Sequence, residues 1–273
     1  MKKIAVIQDI SGLGRCSLAA ALPVLSVMGT QCLPMPTAVY TNQTGFSRFA
    51  VLGCEQLLGE FPVLWREHGV VLDGIYTGFM ASQEQLAAAQ AMIDAFHSNE
   101  TLVLIDPVMG DNGRRYPGFD DELCRAIAAF AAQADVITPN VTEALLLAGG
   151  DMEAFMRAPP EKQEGVLRHV CETLPQKRIV ITGWRHGATV CNAAWEDGAF
   201  TVHASPAVAG SWSGTGDLFA SALCGGLVQG ESLGDAICRA TRFLEAALRD
   251  AAQAGLPETH GVPFESHLKE LLC

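Results

Sequence analysis

The alternation of short apolar segments with helix-periodic segments restricts the fold of this chain most strongly. The segments typical of buried strands are 4–8, 30–39, 74–78, 101–108, 135–140 and 178–182. Between them, segments with helical spacing lie near 16–29, 55–68, 82–97 and 120–132. Strands that alternate with helices favour a mostly parallel sheet covered by helices on both faces. The sequence therefore predicts an α/β fold.

The last third of the chain departs from this alternation. Residues 187–205 predict an antiparallel hairpin that turns at Glu196–Gly198, and long helices are expected over 216–228 and 232–254. The chain has 273 residues, 49% of them hydrophobic, which is enough to bury one large core. We expect a single domain over residues 1–273.

The overall charge and the cysteines exclude several classes of protein. A net charge of −12 leaves no basic stripe for nucleic acid, and no apolar run is long enough to span a membrane. The N-terminal segment is interrupted by Asp9 and Arg15, so we interpret it as a first strand rather than a signal peptide. The nine cysteines form no C-x-x-C pair, which predicts reduced thiols in a cytoplasmic protein.

Two glycine-rich nucleotide motifs can be compared with the chain. The segment SGLGRCS (11–17) follows the first strand, but Ser17 replaces the third glycine of a dinucleotide-binding turn. No G-x-x-x-x-G-K-[ST] motif of a P-loop is present. A dehydrogenase and a P-loop ATPase are therefore disfavoured, and a substrate-contacting turn fits residues 11–17 better.

Polar residues collect where the predicted strands end. In a parallel sheet, ligands bind beyond the carboxyl ends of the strands. Each such residue alone is typical of a turn or a helix cap, but the set predicts a binding edge. It comprises Gln8, Asp9, Thr41–Thr44, Thr77, Asp106, Asp111, Asn140, Glu143 and Thr182.

The segment GTGD (214–217) precedes a predicted helix. Its glycines let backbone amides converge at the helix N-terminus, where the free amides and the helix dipole favour an anion. Asp217, in the first turn, could accept a proton from a substrate alcohol beside that anion. These features are typical of a small-molecule kinase, while a plain loop with a helix cap remains the alternative.

Two further segments supply carboxylates at strand ends. Asp106 and Asp111 in IDPVMGD could hold Mg²⁺ through water and orient its phosphates. Asn140 and Glu143 in TPNVTEA lie at a strand-to-helix junction. Glu143 is either an outer ligand of the Mg²⁺ waters or a first-turn residue that stabilises the helix.

The order and separation of these motifs resemble a known group of proteins. DPVMGD, TPNVTE and GTGDLF together resemble the ribokinase-like superfamily of small-molecule kinases. With PTAVYTNQTGF (36–46) they resemble its vitamin B6 branch, the pyridoxal kinases, most closely. The resemblance extends from the first strand to the helix after Asp217, and it implies a ribokinase-like fold.

The resemblance also implies site roles. Asp217 would be the catalytic base, with the amides of Gly214, Thr215 and Gly216 as the anion hole. The metal region would contain Asp106, Asp111 and Glu143, and the nucleotide phosphates would lie near Asn140 and Thr182. The vitamer pocket would include Tyr40 and Thr44, covered by the loop of Tyr116. ATP, Mg²⁺, a monovalent cation (K⁺) near Asp106 and Thr138, and a homodimer are implied as well.

Two positions depart from the family pattern. The wider superfamily carries an Asp-Thr pair before its glycine motif, where this chain has Ser211 and Trp212, which disfavours the sugar-kinase branch. The B6 kinases carry Ser where this chain has Asp9, either a reader of the substrate or a turn residue capping the next helix. We predict ATP-dependent phosphorylation of the 5′-hydroxymethyl group of pyridoxal, pyridoxine or pyridoxamine. A hydroxymethylpyrimidine kinase and a non-catalytic vitamer- or nucleotide-binding protein remain alternatives.

Overall fold

A computed structural model describes residues 1–272 of this chain. Its strands are β1 Lys3–Ser11, β2 Gln31–Tyr40, β3 Val51–Gly53, β4 Gly74–Thr77, β5 Leu102–Ile105, β6 Gly110–Asp111, β7 Arg114–Arg115, β8 Val136–Ile137, β9 Arg178–His186, β10 Thr189–Glu196 and β11 Ala199–Pro206. Within the described residues, nine of them form one sheet in the order β11-β10-β9-β8-β5-β4-β1-β2-β3. The six strands from β9 to β2 in this order are parallel, and antiparallel strands flank them on both sides. The expected α/β sheet is confirmed.

Ten α-helices are present in the described part of the chain. They are α1 Ser17–Val27, α2 Glu55–Leu58, α3 Glu60–Glu67, α4 Gln83–Phe96, α5 Asp121–Ala131, α6 Val141–Ala148, α7 Met152–Arg157, α8 Pro160–Thr173, α9 Thr215–Val228 and α10 Leu233–Ala254. Two short 3₁₀ segments, Glu258–His260 and Glu265–Leu271, follow α10. No helix among residues 1–272 has the length and apolar character needed to cross a membrane.

The central strands are apolar along their whole length because both faces of the sheet are covered. Ile4 and Val6 of β1 face the core beneath α1, α9 and α10, whereas Ala5 and Ile7 face the core beneath α2 to α8. All four side chains are fully buried. Continuous apolar strands are typical of parallel sheets buried on both sides. The carboxyl ends of β1, β4, β5 and β8 consequently lie together at one edge.

Two predicted elements are shorter or divided in the structure. The strand expected over 101–108 ends at Ile105, and the one expected over 135–140 spans only Val136–Ile137. Pro107 and Pro139 lack the backbone N–H that a ladder requires, which limits both strands. The single helix expected near 55–68 is two helices that meet at Gly59.

Candidate active site

The turn before α9 is built around Gly214. This residue is the N-cap of α9 and adopts the left-handed region, with φ of 82°. A Cβ atom at Gly214 would overlap the carbonyl oxygen of Arg15 in the loop after β1. Both the backbone conformation and the close approach therefore require glycine here.

Gly216 lies one residue inside α9 and is exposed. A Cβ atom there would meet open space, since the nearest atom within reach is Oδ2 of Asp106 at 3.9 Å. The backbone does not require glycine at this position. The absence of a side chain instead leaves the first-turn amides of α9 uncovered, and their role in binding an anion stays a prediction.

Asp217 is the third residue of α9 and is half-buried. Burial and, to a smaller extent, the negative charge of Asp9 raise its pKa to about 6. The backbone amide of Ser17 donates a hydrogen bond to the carboxylate, which opposes this rise. A carboxylate with a pKa near 6 is ionised at neutral pH and still basic enough to accept a proton. Its environment fits the predicted role of general base.

Asp106 follows β5 and is buried. Burial and, to a smaller extent, the negative charge of Asp217 raise the pKa of its carboxyl group to about 8, while a hydrogen bond with Thr138 opposes the shift. The two carboxyl groups are therefore close enough to disfavour simultaneous ionisation. A cation between or beside them would relieve that repulsion.

Asn140 and Glu143 form a reciprocal cap at the start of α6. The Asn140 side chain accepts a hydrogen bond from the Glu143 amide at 3.0 Å, and Glu143 Oε2 accepts one from the Asn140 amide at 2.8 Å. Glu143 Oε1 also accepts a bond from the Met109 amide at 3.0 Å, and Asn140 Nδ2 donates to the carbonyl of Gly110 at 2.8 Å. The capping role considered for Glu143 is thus present, and the same groups hold the segment after Asp106 in place.

The three residues predicted for the metal region differ in their surroundings. Glu143 is buried, and burial together with the charge of Asp106 raises its pKa well above the usual range. Asp111 is exposed and accepts bonds from the amide and side chain of Asn112 at 2.7 and 3.0 Å. Over the described residues, no group of three or more His, Cys, Asp or Glu side chains is placed to hold a metal ion by itself.

Thr182 lies at the end of the parallel part of the sheet. Its amide donates to the carbonyl of Pro139 at 2.8 Å, and it forms an isolated parallel bridge with Asn140. The two residues predicted near the nucleotide phosphates are therefore neighbours. Their role in binding a nucleotide stays a prediction.

Tyr116 follows the β6–β7 hairpin, which occupies part of the loop predicted over 110–119. Burial raises the pKa of its phenol, and the charges of Glu143 and Asp111 raise it further. The negative charges of Asp217 and Asp106 also raise the pKa of this phenol. The ring therefore lies near the carboxylates of the site and remains partly exposed, as a covering residue would be.

Asp9 lies in β1 beside an irregularity in its pairing with β2 and is buried. Its carboxylate accepts hydrogen bonds from the hydroxyl groups of Ser17 at 2.7 Å and Ser11 at 3.3 Å. Burial raises the pKa of Asp9, and both serines oppose that shift. The N-cap of α1 is Cys16, with no side-chain cap bond. Asp9 is thus joined to the first residue of α1 through a hydroxyl, not as a backbone cap.

Ser11, Ser17 and Gln43 lie in segments predicted to face the site, but their hydrogen bonds to Asp9 and to Thr259 were not predicted. Tyr40, at the end of β2, is buried, and its pKa is raised by burial and by the charge of Asp9. Thr44 is exposed in the loop that follows. The buried Gln43 beside it accepts a bond from the Gly45 amide at 2.6 Å and donates to the carbonyl of Thr259 at 2.9 Å. The sequence signal that could have identified Gln43 is its position inside TNQTGF, part of the segment that resembles the B6 kinases.

Cys16 is buried between the two carboxylates of this side of the site. Burial raises the pKa of its thiol to about 12, and the charges of Asp217 and Asp9 contribute. The thiol is therefore protonated at neutral pH and a weak nucleophile.

The fold and this site define a class of protein. A parallel sheet covered on both faces, an open glycine turn at the start of α9 and a first-turn carboxylate with a raised pKa fit a ribokinase-like small-molecule kinase. The sequence model of the phosphomethylpyrimidine kinase family matches residues 17–262, and the chain belongs to this family. The chain is also similar to pyridoxal kinases.

Solved structures and a curated relative agree with this assignment. A Bacteroides thetaiotaomicron protein assigned by name to the phosphomethylpyrimidine kinases, crystallised with pyridoxal, is 33% identical, with a TM-score of 0.91 over 99% of this chain and 95% of that one. Pyridoxal kinase from Lactobacillus plantarum is 28% identical, with a TM-score of 0.87 over 100% and 97%. A pyridoxal kinase of Rubrobacter xylanophilus is 28% identical over 97% of this chain and 93% of its own length.

Proposed function

We propose that this protein transfers the γ-phosphoryl group of ATP to the 5′-hydroxymethyl group of a vitamin B6 vitamer. The observation that carries the proposal is the pairing of Asp217 with the open first-turn amides of α9, within one site. The likeness over nearly the whole chain to pyridoxal kinases and to a structure containing pyridoxal supports the substrate class.

The chain's own groups supply a simple mechanism. Asp217 accepts the proton of the substrate hydroxyl as the hydroxyl oxygen bonds to the γ-phosphorus, and the bond from that phosphorus to ADP breaks, so that ADP leaves. The amides of Gly214, Thr215 and Gly216 face the charge on the transferred group, and the positive end of the α9 dipole acts in the same direction. Because the transition state is loose, positioning and charge stabilisation account for most of the catalysis.

The family description favours one alternative substrate, hydroxymethylpyrimidine, which also presents a hydroxymethyl group on a flat nitrogen ring. ATP consumption should be measured side by side with pyridoxal, pyridoxine, pyridoxamine and hydroxymethylpyrimidine. Turnover of at least one vitamer with a higher kcat/KM than hydroxymethylpyrimidine supports the proposal. The reverse order would assign the pyrimidine, and no turnover with any of the four would favour a binding protein.

Magnesium fits the acidic surroundings of the site. The raised pKa values of Asp106 and Glu143 arise from burial and from neighbouring carboxylates, so a divalent cation would offset uncompensated charge. Asp106, with Asp111 and Glu143 acting through water, would hold Mg²⁺. When bound, Mg²⁺ would offset part of the negative charge of the phosphates.

Asp106→Asn tests this metal assignment. Loss of one negative charge beside the ion should shift the Mg²⁺ dependence of the rate to a higher concentration. Asp111→Asn should shift it in the same direction but less, because its carboxylate is exposed and already bonded to Asn112. Mg²⁺ titrations of the initial rate make the comparison. Overlay of both variants on the wild type would show that these carboxylates are structural.

A monovalent cation, K⁺, is proposed beside Asp106 and Thr138. The hydroxyl group of Thr138 is buried and close enough to Asp106 to lower the pKa of that carboxyl group. A hydroxyl oxygen next to a buried carboxylate is a suitable ligand for such a cation.

A homodimer in the cytoplasm is also proposed. The edge strand β3, helices α2 and α3 and the loop before β4 expose large apolar side chains, which a second copy would cover. They are Val51, Leu52, Leu57, Val63, Leu64 and Val71.

Asp9 is proposed to select the vitamer. An ionised carboxylate accepts hydrogen bonds and donates none, so it favours an amine over an aldehyde. A charge-assisted hydrogen bond of about 1.5–3 kcal/mol corresponds to about ten- to a hundredfold in relative kcat/KM. We expect the wild type to prefer pyridoxamine or hydroxymethylpyrimidine over pyridoxal.

Asp9→Ser should narrow or reverse that preference. The measurement is kcat/KM for pyridoxamine and pyridoxal in both proteins. Ser11→Ala serves as a comparison, because it removes one hydrogen bond to Asp9 while keeping the carboxylate. Equal ratios in the wild type and Asp9→Ser would show that Asp9 does not read the substrate.

A further inference from the structure

Residues 256–261, here called the connector segment, join α10 to the end of the chain and contact three loops of the candidate site. The segment contains the 3₁₀ turn Glu258–His260, and it is followed by Val262 and Phe264, which are buried in the core. These two side chains anchor the C-terminal end of the segment in the core. None of the predicted site residues lies in it.

The first contact is with the phosphate loop, defined as residues 211–216. Glu258 Oε1 accepts a hydrogen bond from the Ser211 amide at 3.0 Å, and the Glu258 carbonyl accepts one from the Ser213 amide at 3.1 Å. The indole of Trp212 donates to the carbonyl of Leu256 at 3.2 Å. Three consecutive residues before Gly214 are thus bonded to the connector segment.

The second contact is with the acceptor loop, defined as residues 41–46. Gln43 donates from Nε2 to the carbonyl of Thr259 at 2.9 Å while its Oε1 accepts the bond from Gly45. The rings of Phe46 and His260 lie 5.7 Å apart. The acceptor loop is the one that follows Tyr40 and contains Thr44.

The third contact is with the loop after β1. Gly261 has φ of 76°, and a Cβ atom there would lie 2.9 Å from the backbone nitrogen of Arg15. Arg15 in turn donates to the carbonyl of His260 at 3.4 Å, and its own carbonyl oxygen lies against Gly214. Consecutive residues 258, 259 and 260 therefore each bond a different loop.

We propose that the connector segment couples the acceptor loop to the phosphate loop, and that Glu258 is the positioning residue on the phosphate side. Ordering of one loop by its ligand fixes the segment, and this lowers the entropy lost when the second ligand orders the other loop. Each substrate then raises the affinity for the other by the same factor. The inference rests on the proposed function, because it takes a vitamer and ATP as the two ligands.

The coupling is measured by calorimetric titration of pyridoxine with and without the non-hydrolysable ATP analogue AMP-PNP and Mg²⁺. In the wild type, the nucleotide should tighten pyridoxine binding by about fivefold or more. The coupling ratio is the Kd of pyridoxine without the nucleotide divided by its Kd with the nucleotide. In Glu258→Ala this ratio should fall to about one. The Kd of pyridoxine without nucleotide should change by less than about twofold, because Glu258 contacts the phosphate loop and not the acceptor loop. A purely structural role would not separate the two titrations in this way.

Three other variants complete the test. Glu258→Gln keeps an acceptor oxygen for the Ser211 amide and should retain most of the coupling. Gln43→Leu removes the donor to Thr259 and should abolish the coupling from the acceptor side. Glu164→Ala removes the same charge from an exposed pair with Arg168 on α8 and should leave the ratio unchanged.

A coupling ratio of one in the wild type would overturn the coupling. A ratio in Glu258→Ala equal to that of the wild type would overturn the role of Glu258 in it. A wild type that binds AMP-PNP but neither pyridoxine nor hydroxymethylpyrimidine would refute the proposed function itself, and the coupling between these ligands with it. Binding of both ligands without coupling would leave the proposed function intact. The two failures are therefore distinguishable in one set of titrations.

Discussion

Asp217→Asn should lose turnover by about 10²–10⁴-fold or more while still folding and binding ATP, because removal of a general base typically has an effect of this size. Steady-state kcat and the affinity for AMP-PNP make the measurement. The pH profile gives a second reading. Since burial raises the pKa of Asp217 to about 6, kcat/KM of the wild type should rise with pH through about 6. A variant with near-normal kcat would exclude Asp217 as the base.

The start of α10 provides a matched control for this substitution. Asp235 is the third residue of α10, as Asp217 is of α9, and each follows a glycine. Asp235 bonds the N-cap Ser232 and is exposed. Asp235→Asn should therefore change stability slightly and leave turnover unchanged. Equal losses in the two variants would point to a general effect of first-turn charge.

Asp217→Asn should not lower the stability of the protein at alkaline pH, although it lowers the activity. The pKa of Asp217 is raised in the folded protein from 3.8 to about 6, so its contribution to the free energy of unfolding is greatest below 3.8 and declines as pH rises through about 6. At pH 8 the ionised group destabilises the fold by about 3 kcal/mol, because each unit of pKa shift corresponds to about 1.4 kcal/mol. Asp217→Asn should therefore be no less stable than the wild type at pH 8, as thermal unfolding would show.

Gly216→Val should raise the KM for ATP severalfold or abolish activity without unfolding the protein. The added side chain enters the open space in front of the first-turn amides, where among residues 1–272 outside α9 itself a Cβ atom would approach only Oδ2 of Asp106, at 3.9 Å. It would therefore occupy the region where the phosphates are proposed to lie, and it would strain little of the protein itself. ATP kinetics and far-ultraviolet circular dichroism make the test.

Gly234→Val is the control for that prediction. Gly234 is the second residue of α10, as Gly216 is of α9, and a Cβ atom there meets only His203, at 3.8 Å. Both variants place the same side chain at the same helix position, so their effects on helix stability should be similar. Unchanged ATP kinetics in Gly216→Val, or an equal change in Gly234→Val, would show that residues 214–216 only connect two elements.

The central sheet could be predicted because its signal is local. The apolar runs that become β1, β2, β4, β5 and β9 are short and bounded by polar or breaking residues, and their alternation with helices leaves few topologies. The hairpin of β10 and β11 turns at the predicted residues for the same reason. The edge strand Val51–Gly53 was missed, since three residues give no period and their pairing with β2 comes from tertiary structure.

The sequence by itself determined the α/β fold and the residue types of the site. The segment GTGD predicts a glycine turn followed by a first-turn carboxylate, because both features belong to neighbouring residues of one segment, and the structure has both. Its role as an anion site stays a prediction. The capping box of Asn140 and Glu143 is equally local, since its members are three residues apart. Their role near a nucleotide or metal stays a prediction.

Only the tertiary structure decided the surroundings of these residues. The pKa of Asp217 depends on burial and on Asp9, which lies more than two hundred positions away in the sequence. The bonds of Gln43 and Arg15 to the connector segment span 216 and 245 positions, and no sequence period reports such pairs. Burial and charge act through space rather than along the chain, so the fold had to be known before the residues that position this site could be named.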